Sequence, residues 1–208
     1  AVLFRDNTVA ELVEKRRPTD LSAPIGFYWT EGTYATGLAD DAVPPLKGGS
    51  TIGIPSPPAI LFPSGLVGTP DIRDAERLQG FPEGWTEAAE SVAKSSSRWK
   101  LVGNAVTVNV CGWIAQGITS PPDLVPDKFH SHEGSKWPEA AFGEKGKVWR
   151  VEGAHGPRNR VSLAGFLKYP VKPLSHRAVT GFLGRAHKGN LKYPVGFIAA
   201  LTKYSETL

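Results

Sequence analysis

A helix with clearly marked ends, lying between Thr69 and Pro82, is the feature that most restricts how this chain can fold. Thr69 reads as its cap, Pro70 suits the first helical position, and Asp71 complements the positive end of the helix dipole. Ile72, Ala75, Leu78 and Gln79 then share one face. Gly80 supplies a left-handed stop. The bend Phe81-Pro82-Glu83-Gly84-Trp85 redirects the chain, with Phe81 and Trp85 expected to pack back on the helix. A second block, Val102-Gly103-Asn104-Ala105-Val106-Thr107-Val108-Asn109-Val110, follows after about twenty residues. There Asn104 reads as the cap of a helix running to about Gln116, with Val106, Val110 and Ile114 at helical spacing and Trp113 beside them.

The flanking sequence is heavily punctuated, with 18 Pro and 23 Gly among 208 residues. That content predicts short elements joined by turns. A helix is expected near the start, capped by Asn7 or Thr8, with Glu11 completing a capping box and Pro18 ending it. Ile25–Thr30 and Ala59–Phe62 read as strands, and Pro63-Ser64-Gly65 as a turn. Prolines between Ile52 and Pro58 exclude a central strand there. Residues 87–97 are Ser-rich and read as a loop or a loosely attached helix. Three prolines between Thr119 and Pro126 suggest a boundary. The expected division is therefore residues 1–120 and a carboxy-terminal extension, 121–208.

That extension differs in charge. Residues 1–120 carry 10 Lys and Arg against 13 Asp and Glu, whereas 121–208 carry 14 against 7 and all five His. A basic surface suits a polyanion, and equally suits plain solvation. Lys147–Val151 alternates like a strand, and residues 160–208 read as mostly helical. Leu167-Lys168-Tyr169-Pro170-Val171 recurs as Leu191-Lys192-Tyr193-Pro194-Val195, which suggests two short helices entered through similar turns. Phe197, Ile198, Leu201 and Tyr204 outline a terminal amphipathic helix.

Several classes are excluded on these grounds. No consecutive apolar run approaches eighteen residues, so no membrane partner is expected. The chain opens Ala1-Val2-Leu3-Phe4-Arg5 without a signal segment, and this start inside an apolar phrase suggests that sequence precedes it. A single cysteine, Cys111, rules out an internal disulfide framework and fits a reducing compartment. His130 and His132 form the only close histidine pair, and no second pair completes a metal site. No phosphate-binding P-loop and no Gly-x-Ser-x-Gly elbow is present.

The two blocks, in this order and spacing, resemble the ninth and tenth signature motifs of DNA (cytosine-5)-methyltransferases. The resemblance is specific over residues 69–118 and weaker over 43–68, where Val43-Pro44-Pro45-Leu46-Lys47-Gly48-Gly49 partly matches the end of the family's recognition region. It implies an α/β fold: the carboxy-terminal part of a Rossmann-like, S-adenosylmethionine-dependent methyltransferase, with a small irregular recognition region and a mostly helical basic extension. The implied reaction moves a methyl group from S-adenosylmethionine to carbon five of cytosine in double-stranded DNA, in the setting of restriction-modification. The implied location is the cytoplasm, associated with the nucleoid in a bacterium.

The resemblance assigns Asn104, Ala105 and Val106 to one wall of the cofactor pocket. A helix amino terminus there would suit the cofactor's carboxylate. Many relatives have Ser at the position of Ala105. Lys47, Gly48, Gly49, Ser50 and Thr51 form a loop that allows close approach to DNA phosphate, and equally an ordinary glycine loop. Arg77 is a further candidate for phosphate, although an ion pair with Glu76 fixing the helix is the favoured role. No catalytic residue is assigned. The family's Pro-Cys nucleophile, its glycine-rich cofactor loop, its Glu-Asn-Val segment and its Gln-x-Arg-x-Arg segment are all missing. Cys111 lies mid-helix without a base or a basic neighbour and is expected to be a buried structural thiol. The partner implied is the amino-terminal catalytic half of the same enzyme. Two other classes stay open: a non-catalytic DNA-binding or specificity subunit, and a pseudo-enzyme that serves as an interaction module.

Overall fold

A computed structural model describes residues 20–49, 56–121, 129–134, 138, 141–151 and 161–208. The helix expected near residue 10 lies outside the described residues, as do Ser50, Thr51 and most of Ile52–Pro58. The chain divides into two compact units. The larger comprises residues 16–108 and 161–208, and the smaller residues 1–15 and 109–160. The parting therefore does not fall at residue 120, and residues 161–208 are no separate extension. The reason lies in the larger unit's sheet.

That sheet contains β1 (Ile25–Phe27), β2 (Ala39–Asp40), β3 (Ala59–Leu61), β4 (Val67–Thr69) and β8 (Lys172–Pro173), in the order β2-β1-β3-β4-β8. Every pairing in it is antiparallel. Ile25 faces Leu61 and Phe27 faces Ala59 across the ladder. Gly68 faces Pro173, so the tail supplies an edge strand, a position where proline's missing N–H costs nothing. The fold is thus a mixture of helix and sheet. A parallel, doubly wound sheet does not occur among the described residues.

One face of the sheet is covered by the tail's helices. α4 (Leu163–Phe166) precedes β8, and α5 (His176–Lys188) and α6 (Phe197–Glu206) follow it. Ser162 and Ser175 cap α4 and α5 by accepting the N–H of Gly165 and Ala178. Ile25, Phe27, Leu61 and Val67 from the strands meet Val179, Phe182, Phe197 and Leu201 in one core. Phe27 contacts Phe182 and Phe197 with ring centroids 5.1 and 5.3 Å apart, the tilted and edge-on geometries that aromatic quadrupoles favour. The terminal helix forms over Phe197–Glu206, with Phe197, Leu201 and Tyr204 buried as its spacing predicts.

The recurring Leu-Lys-Tyr-Pro-Val segment is not a helix entrance in its first copy, which follows α4 and feeds β8. In the second copy, Pro194 and the left-handed Gly196 (φ 80°) start α6. The hydroxyl of each tyrosine donates to earlier chain, Tyr169 to Glu83 and Tyr193 to the Gly32 carbonyl, and Tyr193 also stacks on Phe197 at 5.6 Å.

In the smaller unit, β5 (Phe129–Ser131), β6 (Ala141–Glu144) and β7 (Lys147–Val151) form an antiparallel sheet in the order β5-β7-β6. Lys145 and Gly146 both have positive φ (49° and 76°), the turn that closes a two-residue hairpin. The expected strand at Lys147–Val151 is present.

Replacing Phe182 with Ala removes a fully buried ring at the junction of sheet and tail. The expected loss is about 3–5 kcal/mol of stability, read as a lower urea midpoint for the whole chain.

Candidate functional site

The marked helix is present as α1 (Ile72–Leu78). Thr69 does not cap it, because Thr69 closes β4 and pairs with Lys172. The cap is Asp71, whose carboxylate accepts the Arg73 N–H at 2.9 Å and both Nε and Nη2 of Arg73. These bonds from Arg73 hold the Asp71 carboxyl below the usual carboxylate range. Gly80 takes φ 84° and ends the helix as its sequence demands. Phe81 and Trp85 stack on each other, centroids 5.6 Å apart.

α1 buries two carboxylates two residues apart, Asp74 and Glu76, which helical geometry sends to opposite sides. Asp74 accepts the backbone N–H of Lys168 at 3.1 Å and of Tyr169 at 3.0 Å, and pairs with Arg77. Arg77 also donates to the Phe166 carbonyl at 2.9 Å and lies over the Phe166 ring. Arg77 is therefore held in the fold by Asp74 and not by Glu76. That engagement is the physical reason against its candidacy for phosphate. Around it, Arg73 lies over the Tyr169 ring at 3.6 Å, and Lys168 and Tyr169 both donate to Glu83.

Glu76 faces the other way. It accepts from the N–H of Gly84 at 2.6 Å and of Thr86 at 2.8 Å, from the Thr86 hydroxyl, and from Arg98 Nη2 at 3.0 Å. Burial by itself would raise its pKa. Bonds from Thr86, Arg98 and Gly84 outweigh that cost and keep it below the usual range. Arg98 completes the cluster through Thr86 Oγ1 at 3.0 Å and Glu90 at 2.9 Å. Burial acts to lower the Arg98 pKa, but Glu90 and Glu76 overcome it and raise it.

Arg98 stands on α2 (Ser97–Asn104), so Glu76 fixes the start of the second block. Gln79 fixes its end. Gln79 Nε2 donates to the carbonyls of Val102 at 3.0 Å and Ala105 at 3.3 Å, and its Oε1 accepts from the Thr107 hydroxyl at 2.8 Å. Its backbone carbonyl accepts the Val108 N–H at 2.8 Å, where α3 (Val108–Thr119) begins. Neither Arg98 nor Thr86 stands out in sequence. A buried Arg inside a Ser-rich stretch becomes legible only once its partner on α1 is known.

The resulting geometry corrects one expectation. Asn104 is the last residue of α2, not the cap of the helix that follows. Beside it, a Cβ on Gly103 would sit 2.2 Å from the Lys47 carbonyl carbon, so only glycine admits the Lys47-Gly48 backbone against α2. Asn104 therefore stands at the negative end of a helix, where carbonyls and not N–H groups point outward. The end of α2 therefore offers no support to a carboxylate, and the nearest helix amino terminus is that of α3, at Val108, whose N–H is taken by Gln79. Asn104 is exposed, with Gly48 against its side chain, and Val106 is 62% exposed.

Ala105 helps to line a cleft of about 280 Å³, together with Phe81, Trp85, Thr86, Leu101 and Val102. Both sequence blocks thus border one opening. No ionisable side chain lines it, so it can hold a flat or apolar group but cannot itself move a proton. The glycine loop sits beside it. Lys47 lies over the Tyr28 ring at 3.7 Å and pairs with Glu31 at 3.5 Å. Burial, aided by the Glu31 charge, pushes the Tyr28 phenol up to about 12, so it stays a neutral donor to the Pro45 carbonyl. Gly49 is exposed.

Other candidates separate from this site. Among the described residues, no cluster of three metal-ligating side chains occurs. Cys111 is exposed on α3 and is not the buried thiol expected. Ser97–Thr119 has the length and mean hydropathy of a membrane-crossing segment (23 residues, 1.2). It is nevertheless two helices, interrupted at Ala105–Thr107, and it carries Arg98 and Lys100.

Comparison with known proteins adds a relative. The chain is 42% identical, over 209 aligned residues, to the Type II methyltransferase M2.BsuMI of Bacillus subtilis (strain 168). The chain is a homologue of a Type II methyltransferase. The alignment covers 97% of this chain and 54% of that protein, so the chain spans about half the length of the relative it matches. No family model and no solved structure matches it. In this chain, α1 is the element that brings the two motif-like blocks to one cleft.

Replacing Glu76 with Ala leaves Arg98 buried without its partner and is expected to cost about 3–5 kcal/mol. The pH dependence has a definite sign. A carboxyl depressed by folding contributes stability above its unfolded pKa, near 4.5, and loses it as pH falls through the folded value. Below pH 4.5, Glu76→Gln should therefore lose stability less steeply than the parent, measured by denaturant titration across pH.

Proposed function

We propose that this chain is the carboxy-terminal section of a DNA (cytosine-5)-methyltransferase that uses S-adenosylmethionine. The observation that carries the reading is the clamp from Glu76 and Gln79 to α2. It joins two blocks that resemble that family's motifs around a single open cleft, in a chain homologous to a Type II methyltransferase. The catalytic nucleophile and the glycine-rich cofactor loop belong to the other half of the enzyme. With that half, this section completes an α/β, Rossmann-like methyltransferase acting on double-stranded DNA in the cytoplasm.

The fit to the cofactor is with its neutral parts. Ala105 faces the cleft, and Asn104 and Val106 are open beside it, so these three residues form a wall. Phe81 and Trp85 offer a flat apolar surface next to them. When bound, S-adenosylmethionine supplies the methyl group. In this section Gln79 orients the wall, and the apolar lining keeps water from it. α2 ends here with its negative pole, so support for the cofactor's carboxylate would come from the start of α3 or from the other half. Lys47, Gly48 and Gly49, with Ser50 and Thr51 beyond the described residues, are the proposed approach to DNA phosphate. A second reading, an interaction module without chemistry, draws support from the uncharged lining of the cleft.

Mixing the chain with a half that carries the Pro-Cys nucleophile and the glycine-rich loop distinguishes the two. The expected outcome is labelled methyl transfer to cytosine that neither part gives alone. Filling the cleft by Ala105→Trp should weaken S-adenosylmethionine binding by about tenfold or more, with helix content unchanged. If the mixture transfers no methyl group to DNA, the interaction-module reading takes its place.

A further inference from the structure

Of the five tyrosines, four place the hydroxyl on an internal acceptor: Tyr28 on Pro45, Tyr169 on Glu83, Tyr193 on Gly32 and Tyr204 on Leu174. The fifth, Tyr34, is 93% exposed and makes no hydrogen bond or ring contact among the described residues. It stands at the tip of the loop that joins β1 to β2. A single exposed aromatic is ordinary in itself. The loop that carries this one is tied down from both sides. Within it, the Gly32 N–H donates to the Ala35 carbonyl at 3.0 Å, and the Tyr28 N–H to that of Thr36 at 2.7 Å. From the tail, Arg185 donates to the carbonyls of Glu31 at 2.9 Å and Trp29 at 2.7 Å, and the Tyr193 hydroxyl to that of Gly32 at 3.2 Å. Gly189, just past α5, lies so close that a Cβ there would sit 2.6 Å from the Thr33 carbonyl oxygen.

Two of these tail contacts are each preceded by a lysine. Lys188 comes before Gly189 and Lys192 before Tyr193. Both are exposed, and neither is in an ion pair among the described residues. Lys188 suits the negative end of α5 whatever lies outside, but Lys192 is beyond the helix and has no such role. Glu206 is the sole acid from Val161 onward, and it closes α6, whose end packs at the start of α5 through the Tyr204 bond to Leu174. Glu31, at the root of the loop, is taken by Lys47 at 3.5 Å. Cations therefore outnumber acids around the Tyr34 loop. A ring held open beside two lysines has the chemistry of a DNA surface, with ammonium groups for phosphates and a flat apolar face for sugars and bases. The Lys47–Glu31 pair also joins this loop to the proposed approach to DNA phosphate. We infer that the Tyr34 loop and the Lys188–Lys192 turn form a second contact surface for duplex DNA. The inference rests on the proposed function in taking DNA as the partner. It goes beyond it in giving the tail, which follows both motif-like blocks, a share of the contact.

The test is fluorescence anisotropy of a labelled DNA duplex titrated with the full chain over a series of salt concentrations. Binding is expected at low salt, with the logarithm of affinity falling linearly against that of salt. Replacing Lys188 and Lys192 together with Gln should lower that slope by about two, one phosphate for each lysine. Tyr34→Ala should weaken binding by about tenfold at an unchanged slope, and Tyr34→Phe should keep the parent affinity. Arg177→Gln is the control, at the other end of α5 and about 16 Å from Lys188, and should leave the slope as it is. Every substituted residue is exposed, so helix content should not change. The inference is overturned if no duplex is bound at low salt, if the double lysine variant keeps the parent slope, or if Arg177→Gln lowers it as much as one of the pair. Parent-like binding by Tyr34→Ala overturns it too. Tighter binding of the same sequence as a single strand also overturns it, by assigning the surface to unpaired DNA. A surface that passes these tests, in a chain whose reconstituted mixture transfers no methyl group, keeps the DNA contact and removes the chemistry. Methyl transfer with affinities indifferent to the substitutions does the reverse.

Discussion

Two buried carboxylates on a seven-residue helix hold the larger unit's parts in register. Asp74 gathers Phe166–Tyr169 through Arg77 and two backbone N–H groups. Glu76 gathers Gly84, Thr86 and Arg98. Burying an ionised carboxylate is costly, and the arrangement is tolerable only because each carboxylate is surrounded by donors. An isolated seven-residue helix has little stability of its own. α1 is therefore stable because of what its acids hold, and what they hold is placed because α1 is there. A charge pair of this kind is poor at adding net stability but good at admitting a single geometry. Substituting either acid leaves orphaned donors on a segment distant in sequence, so the coupling runs across the whole unit.

Local rules served well wherever a residue's role was settled by its neighbours in sequence. Gly80 stops α1, and Pro63-Ser64-Gly65 turns between β3 and β4. They failed where a contact distant in sequence outvoted the local signal. Thr69 has the chemistry of a cap but is claimed by β4 and its partner in the tail. Asn104 has the chemistry of a cap but ends a helix, α2, against whose Gly103 the Lys47-Gly48 backbone lies. The composition change after residue 120 suggested a separate extension, since charge reports on the surface and not on connectivity. Phe182 and Phe197 belong to the same core as Phe27, and no local pattern pairs residues so far apart.

That the two blocks meet was legible in the sequence, but the direction of α2 was not. Both blocks do meet, and Asn104, Ala105 and Val106 do border open space. The residues that bring them together were harder to see. In sequence Gln79 is only a face-sharing residue, yet its amide and backbone carbonyl serve four groups across residues 102–108. Arg98 and Thr86 carried no sequence signal, because a buried ion pair is defined by its partner. The Asn104–Val106 segment is thus held by contacts that no spacing rule describes.

The orientation of α2 limits what the cleft can offer a ligand. Free N–H groups would have offered an anion site in their own right, and such a site could bind a cofactor unaided. A helix ending in carbonyls, with two of the local carbonyls already accepting from Gln79, leaves an uncharged surface. Uncharged walls discriminate by shape and exclude water, and their value rises when charged groups are placed opposite them in a drier site. That division of labour accounts for a section that is rich in internal charge pairs, neutral at its opening, and apolar along α3. Its electrostatic effort goes into holding its own bend, and the cleft is left without an ionisable side chain.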